Sequence, residues 1–150
     1  MAISRGAGTE IIRSAWFEDI DSTDTKLIFG EQHHIYTVLS IIVQAHTLQA
    51  AGNAFTISLV GYDSKAGTSA QTHRIITSTF AAAGETFVWN DKFSFNGHEP
   101  TDFSGPMDDA TKQNAIADQG SSVAQYLMIN TTNAADAFEV GVTFIDQNNA

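Results

Sequence analysis

An all-β, single-domain antiparallel sandwich of jelly-roll type is the fold this sequence predicts, and three observations predict it. Ile, Val and Thr number 14, 7 and 16 against five Leu, and branching at Cβ suits the pleated surface of a sheet. Apolar and polar residues alternate in short segments, most cleanly at Phe55, Ile57, Leu59 and at Phe138, Val140, Val142, Phe144, the pattern of half-buried strands. Turn signals separate these segments without any strand–helix–strand rhythm, and 150 residues suit one ordinary domain.

The elements follow in order. Residues 1–8, with two glycines and no periodicity, read as a mobile arm, and the domain proper spans 9–146. A first strand covers Thr9 to Ile20, with Ile12, Trp16 and Ile20 on one parity and Ile11, Ala15 and Phe17 on the other. Asp19 to Thr25 is a turn whose Asp, Ser and Thr side chains can bond nearby backbone, and Lys26 to Phe29 is a short strand ending at Gly30. His33 to Leu48 is the longest strand signal. Its odd positions form the more apolar face, and its length predicts a bend or bulge and a passage between two sheets. After a Gly52–Asn53 turn come a strand at Phe55 to Leu59, a polar loop from Asp63 to Thr72, and a strand from His73 to Phe80. Phe87 and Trp89 alternate with polar or smaller neighbours, Asn90–Asp91 marks a turn or bulge, and Lys92 to Phe95 continues. Asn96 to Gly120 is the longest non-strand stretch, in which Met107 to Asp118 reads as a short helix. Strands at Val123 to Thr132 and Phe138 to Ile145 close the domain before a polar tail at 147–150. The count is eight or nine strands.

Seventeen acidic and seven basic residues give a net charge of −10, which repels phosphate backbones and argues against a nucleic-acid binder. No stretch approaches the roughly 20 apolar residues of a membrane span, and residues 1–30 lack the basic start and apolar run of a secretory signal. The absence of cysteine excludes disulfides, Cys–zinc sites and thiol catalysis. Charged residues are only 16% of the chain, leaving a neutral polar skin suited to packing against other proteins.

Candidate chemistry is thin. His33 and His34, adjacent in a strand, point to opposite faces and cannot share an ion, while His34 and His46 lie about 40 Å apart along an unbent strand. Asp19, Asp21 and Asp24 lack the glycine and terminal Glu of a calcium loop, and Asp102, Asp108 and Asp109 show no recurring spacing. There is no Gly-x-Ser-x-Gly elbow; a dispersed triad such as Ser40, His46 and Asp63 is the weaker option. Among the aromatics, Trp16, Phe17, Tyr36, Tyr62, Trp89, Phe93 and Phe95 are candidates for a sugar-stacking platform, although the shared parity of Phe87, Trp89, Phe93 and Phe95 favours core or subunit contact. No catalytic residue, cofactor or metal is expected.

Gly8-Thr9-Glu10-Ile11-Ile12-Arg13, the strand from His33 to Ser40, Glu85 to Phe95, and Phe138 to Asp146 are four strings spread over most of the chain. Together they resemble the small structural proteins of tailed-phage virions, notably capsid decoration or cement proteins. The resemblance implies a non-enzymatic β-sandwich, often a homotrimer, that sits on the outer capsid surface of a virion assembled in the host cytoplasm. Its partner would be the major capsid protein, with no nucleic acid, membrane or small-molecule substrate. The contact surface expected on this reading includes Ile3 and Arg5 of the arm, Trp16 and Phe17, and Pro100, Phe103 and Met107 of the long loop. The alternative is a carbohydrate-binding sandwich module of a phage fibre or tail component.

Overall fold

A computed structural model describes residues 8–63, 70–100, 108–118 and 122–148. Among them eleven strands and one helix follow one another as β1 (Glu10–Ile20), β2 (Thr25–Phe29), β3 (His34–Thr47), β4 (Ala54–Asp63), β5 (Ala70–Thr79), β6 (Thr86–Trp89), β7 (Phe93–Asn96), β8 (His98–Pro100), α1 (Ala110–Asp118), β9 (Ser122–Ala124), β10 (Tyr126–Thr131) and β11 (Ala137–Asn148). One sheet, sheet A, runs β1-β11-β3-β6, with β7 also on β3; the other, sheet B, runs β2-β10-β4-β5. β6 and β7 occupy successive lengths of the same edge of β3, at Ile41–Gln44 and Ile35–Val38. With those two counted as one interrupted strand, the order is that of an eight-stranded jelly roll. The expected sandwich is the observed one.

Alternation builds the core. Along β11, Phe138, Val140, Val142 and Phe144 face inward and are buried. Phe55, Ile57 and Leu59 of β4, with Leu127 and Ile129 of β10, meet them from the other sheet. Phe55 packs against Phe87 with ring centroids 5.3 Å apart, and Phe80 against Phe138 at the same distance, so aromatic pairs bridge the layers. Tyr36 stacks on Phe95 at 5.3 Å nearer the other end.

Several local expectations are revised. In β3, Tyr36 and Val38 point inward and then Ile41, Val43 and Ala45 do, because a register shift opposite Thr143–Phe144 inserts an extra residue at Leu39–Ser40. The odd face of this strand is therefore the core face only after the bulge. β3 stays within one sheet and does not pass to the other. In β1 a register shift between Phe17 and Ile20, with Asp19 at φ 56°, turns Ile20 into the core although it shares parity with exposed Ile12 and Trp16. The hairpin β4–β5 extends into the expected polar loop, since Asp63 pairs with Ala70. The long non-strand stretch contains β8 and β9, paired from His98↔Ala124 to Pro100↔Ser122, besides α1. β11 runs through Asn148, into the expected polar tail; the arm before Gly8 lies outside the described residues. Asp109 caps α1 by accepting the Lys112 N–H at 2.9 Å.

Most polar groups that the fold buries are fastened, Trp89 Nε1 and Gln125 Oε1 being the exceptions among the described residues. Asp136, 3% exposed, accepts the N–H of Gln49 at 2.9 Å, the amide of Asn53 at 3.1 Å and the N–H of Asn133 at 3.2 Å. Gln125, between β9 and β10, takes the N–H of Gly30 on its carbonyl at 2.7 Å and gives its own N–H to Gly97 at 2.8 Å. Backbones crowd this point: a Cβ on Gly30 would lie 2.0 Å from the Gly97 carbonyl, and one on Gly61 2.9 Å from Gln125 Cα. Gly61 also holds φ +125°, a region closed to other residues. Gly61→Ala should therefore cost roughly 2–4 kcal/mol in urea unfolding. Gly84→Ala, at φ +91° with nothing near, should cost about 1 kcal/mol.

Candidate interaction surface

The outer face of sheet A follows from the same alternation read the other way. Three cross-strand rows succeed one another along it: Ile12–Ile145–Thr37–Ser94, Ser14–Thr143–Ser40, and Trp16–Gly141–Ile42–Val88. No row contains a charge. Acidic side chains flank them, with Glu10 at one end of β1 and Glu18 and Glu139 toward the other. The hydroxyls pair among themselves, Ser14 with Thr143 at 3.1 Å and Thr37 with Ser94 at 2.9 Å. Four apolar side chains stand exposed on this face: Ile12 at 70%, Val88 at 57%, Trp16 at 52% and Ile42 at 36%.

Trp16 is seated on Gly141. An added Cβ there would come within 2.4 Å of indole Cε3 and Cζ3, so glycine is required for the ring to lie across the strand. A depression of about 260 Å³ beside the ring is lined by Ser14, Ser40, Ile42 and Thr143 among others.

A second cluster closes one end of the sandwich. Continuing inward past Phe144, β11 buries Asp146. Its two carboxylate oxygens are engaged by Arg13 Nε at 3.1 Å and His34 Nδ1 at 2.6 Å, and His34 Nε2 lies 3.3 Å from Glu31. Arg13, His34 and Asp146, with Gly8, Thr9, Ile11 and Asn148, line a recess of about 370 Å³. The Tyr36 hydroxyl accepts the Glu31 N–H at 3.0 Å. Burial, above all, pushes its pKa up to about 12, and the nearby Asp146 and Glu31 carboxylates add to the rise. The arrangement ties β1, β3 and β11 together. Each charge is spent on a neighbour, which is what burying a carboxylate requires.

The remaining sequence candidates separate. Of the expected contact residues, Trp16 is exposed on the outer face and Phe17, next to it, packs inward against the core. Pro100 ends β8, opposite Ser122; Ile3, Arg5, Phe103 and Met107 lie outside the described residues. The aromatic candidates also turn inward: Tyr36 and Phe95 are buried, and Trp89 and Phe93 pack on the core. Ser40 and His46 sit six residues apart on β3, about 20 Å, and Asp63 is in the opposite sheet, so no triad assembles. Asp21 accepts the Thr23 N–H at 2.7 Å and Asp24 the Asn130 amide at 2.7 Å, both fastening a turn. Among the described residues no group of three His, Asp or Glu is placed to hold a metal ion, and no helix is long and apolar enough to cross a membrane. Ile12, Ile42 and Val88 were not singled out by sequence. Their signal is the register, which places them in line only once the strands are paired. A further exposed cluster, Lys26 over Phe29 and Tyr126 at 5.0 and 4.5 Å, lies on sheet B.

The molecule is thus a jelly roll whose most distinctive surface is an uncharged sheet face. No known protein family matches the chain, and no curated protein sequence matches it. Among solved structures it is similar to a chain of the T=1 particles derived from infectious bursal virus, with a TM-score of 0.41 and 8% identity over 96% of this chain and 37% of that one. Chains of the Gt and Gx strains of infectious bursal disease virus give TM-scores of 0.38 and 0.36 at 9% and 10% identity, over 95% and 96% of this chain and 38% and 37% of theirs. The chain spans little more than a third of their length, and at these scores the likeness carries no functional weight.

The buried phenol gives a pH dependence of definite sign. A folded-state pKa near 12 against an ordinary 10 means the folded chain holds its proton longer. The associated stability is whole below pH 10 and is lost as pH rises toward 12. Urea unfolding should show a decline over that interval, of up to roughly 2 kcal/mol, which Tyr36→Phe removes.

Proposed function

We propose that this chain is a non-enzymatic structural protein of a virion, of the decoration or cement type, adhering to the outer surface of a protein shell through the outer face of sheet A. The observation that carries the reading is the set of three charge-free rows with exposed Trp16, Ile42, Val88 and Ile12 on a chain of net charge −10. Interface centres are depleted of charge and enriched in aromatic residues. The carboxylates at the margins would form the polar rim, and the net charge favours a position away from packaged nucleic acid. Jelly rolls serve in viral capsid and lectin domains alike, so the fold permits the role and the surface argues for it. The partner on this reading is the major capsid protein, met during assembly in the host cytoplasm. Several weak contacts per particle suffice when copies or contacts are linked.

The second reading, a carbohydrate-binding module, has one specific observation in its favour: Trp16 stands exposed beside a depression lined with the hydroxyls of Ser14, Ser40 and Thr143. Two experiments separate the readings. Purified protein mixed with parent-virus capsids prepared without it should cosediment. Ile42→Glu with Val88→Glu should weaken that binding more than about tenfold, two buried carboxylates being expensive at an interface, with the melting temperature unchanged. Binding indifferent to both changes would sink the proposal. Saturable binding on a glycan array, lost on Trp16→Ala, would establish the carbohydrate reading instead.

A further inference from the structure

Among the described residues β1 is an edge strand whose one neighbour in sheet A is β11. From Glu10 to Phe17 it pairs through eight consecutive residues without a register shift, and Glu10 to Ser14 are all exposed. Among the described residues nothing pairs with its other edge. Long, regular, apolar edges are ones that folded proteins normally blunt. The opposite edge of sheet A is broken between β6 and β7, and at the edge of sheet B β2 has five residues and carries Lys26. β1 is protected less: over its eight regular residues the one charge past Glu10 is Arg13, which is engaged by Asp146, and its register shift falls beyond Phe17. It carries Ile11, Ile12, Trp16 and Phe17, and between Glu10 and Glu18 it holds no acid in a chain with seventeen.

We infer that β1 pairs with β1 of a second copy of this chain, antiparallel about a two-fold axis at Ser14, joining the two A sheets into one. The backbone sets which groups are available. Asn148 N–H donates to the Thr9 carbonyl at 3.3 Å, so by the antiparallel alternation the odd residues of β1 bond β11. The N–H and C=O groups of Ile12, Ser14 and Trp16 point to the open edge. A two-fold axis normal to the sheet keeps the faces matched, so even residues must oppose even residues. Centring on Ser14 sets Ile12 opposite Trp16 on the outer face and Ile11 opposite Phe17 on the inner one. Centring on Arg13 would oppose two guanidinium groups and set Glu10 against Trp16. Centring on Ala15 would set Glu18 against Ile12. Of these three centres, only Ser14 matches apolar with apolar on both faces. Its unfavourable feature is Glu10 opposite Glu18, a repulsion that salt screens. Such a contact is isologous and closes at two copies, unlike the trimer that the virion resemblance implies. It draws on Ile12 and Trp16, which the proposed shell contact also includes, but leaves Ile42 and Val88, farther across the sheet, free for that contact, so the glutamate changes at those two positions test the shell reading and not the dimer.

Sedimentation velocity on the full chain tests this. The protein should sediment as a dimer of 16.1 kDa subunits, tighter as salt is raised. Ser14→Pro removes an N–H that points away from β11 and is tolerated on an edge. It should raise the dissociation constant at least about 30-fold by deleting the two bonds at the axis, with the melting temperature little changed. Ile12→Lys, at a side chain 70% exposed, should separate the copies in the same way and serves if the proline variant does not fold. Amide exchange read by NMR should show Ile12, Ser14 and Trp16 protected in the dimer and fast in the variants. A monomer at high concentration, or an oligomer indifferent to both substitutions, overturns the inference.

Discussion

The unbroken alternation of β11 is the constraint on which the rest of this molecule rests. It is paired on both sides, with β1 and with β3, so none of its residues can turn over without breaking two ladders at once. Phe138, Val140, Val142 and Phe144 therefore supply one wall of the core, while Glu139, Gly141, Thr143, Ile145 and Gln147 form the middle of the outer face. A one-residue slip would exchange the two sets. Burial of Asp146 follows from the same regularity: the strand keeps its period after the apolar residues end, and a carboxylate takes the next inward place. Arg13 and His34 are what make that position tolerable.

Packing at the ends of the sandwich has a different logic. There turns join the layers, and polar groups are buried in closing them. Gln125 joins β2, β4 and the start of β8 through backbone bonds and close approach to three glycines, and Asp136 ties the turn before β11 to the turn between β3 and β4. Specific hydrogen bonds at both ends thus hold a middle that is held by hydrophobic contact.

What the sequence showed and what it hid divide along a physical line. Segments with one period, such as Phe55 to Leu59 of β4 and the whole of β11, were legible from alternation, as was the shared parity of Phe87, Trp89, Phe93 and Phe95, read as core or subunit contact. Ile20 and Ile42 were not, because a bulge changes which parity is inward and leaves no local trace: Ile20 looks like Ile12 in a strand count yet lies in the core. β8 and β9 stayed hidden since three residues carry too little pattern, and their partners are separated by the helix. On the candidate face, Trp16 was named from sequence only as one contact candidate beside Phe17, which packs inward. The companions Ile42 and Val88 come into line with Trp16 only through the register of four strands, and register is a long-range property.

The hydrogen bond between Asn148 and Thr9 has a topological corollary. The polypeptide enters its first strand and leaves its last at the same corner, so sequence added before Thr9 or after Asn148 departs from one point. The Gly52 and Gly84 bends lie at the other extremity of the sheets. A cyclised backbone reopened at either bend would carry its new ends to that far side, and so reverse which pole of the molecule a fused cargo occupies.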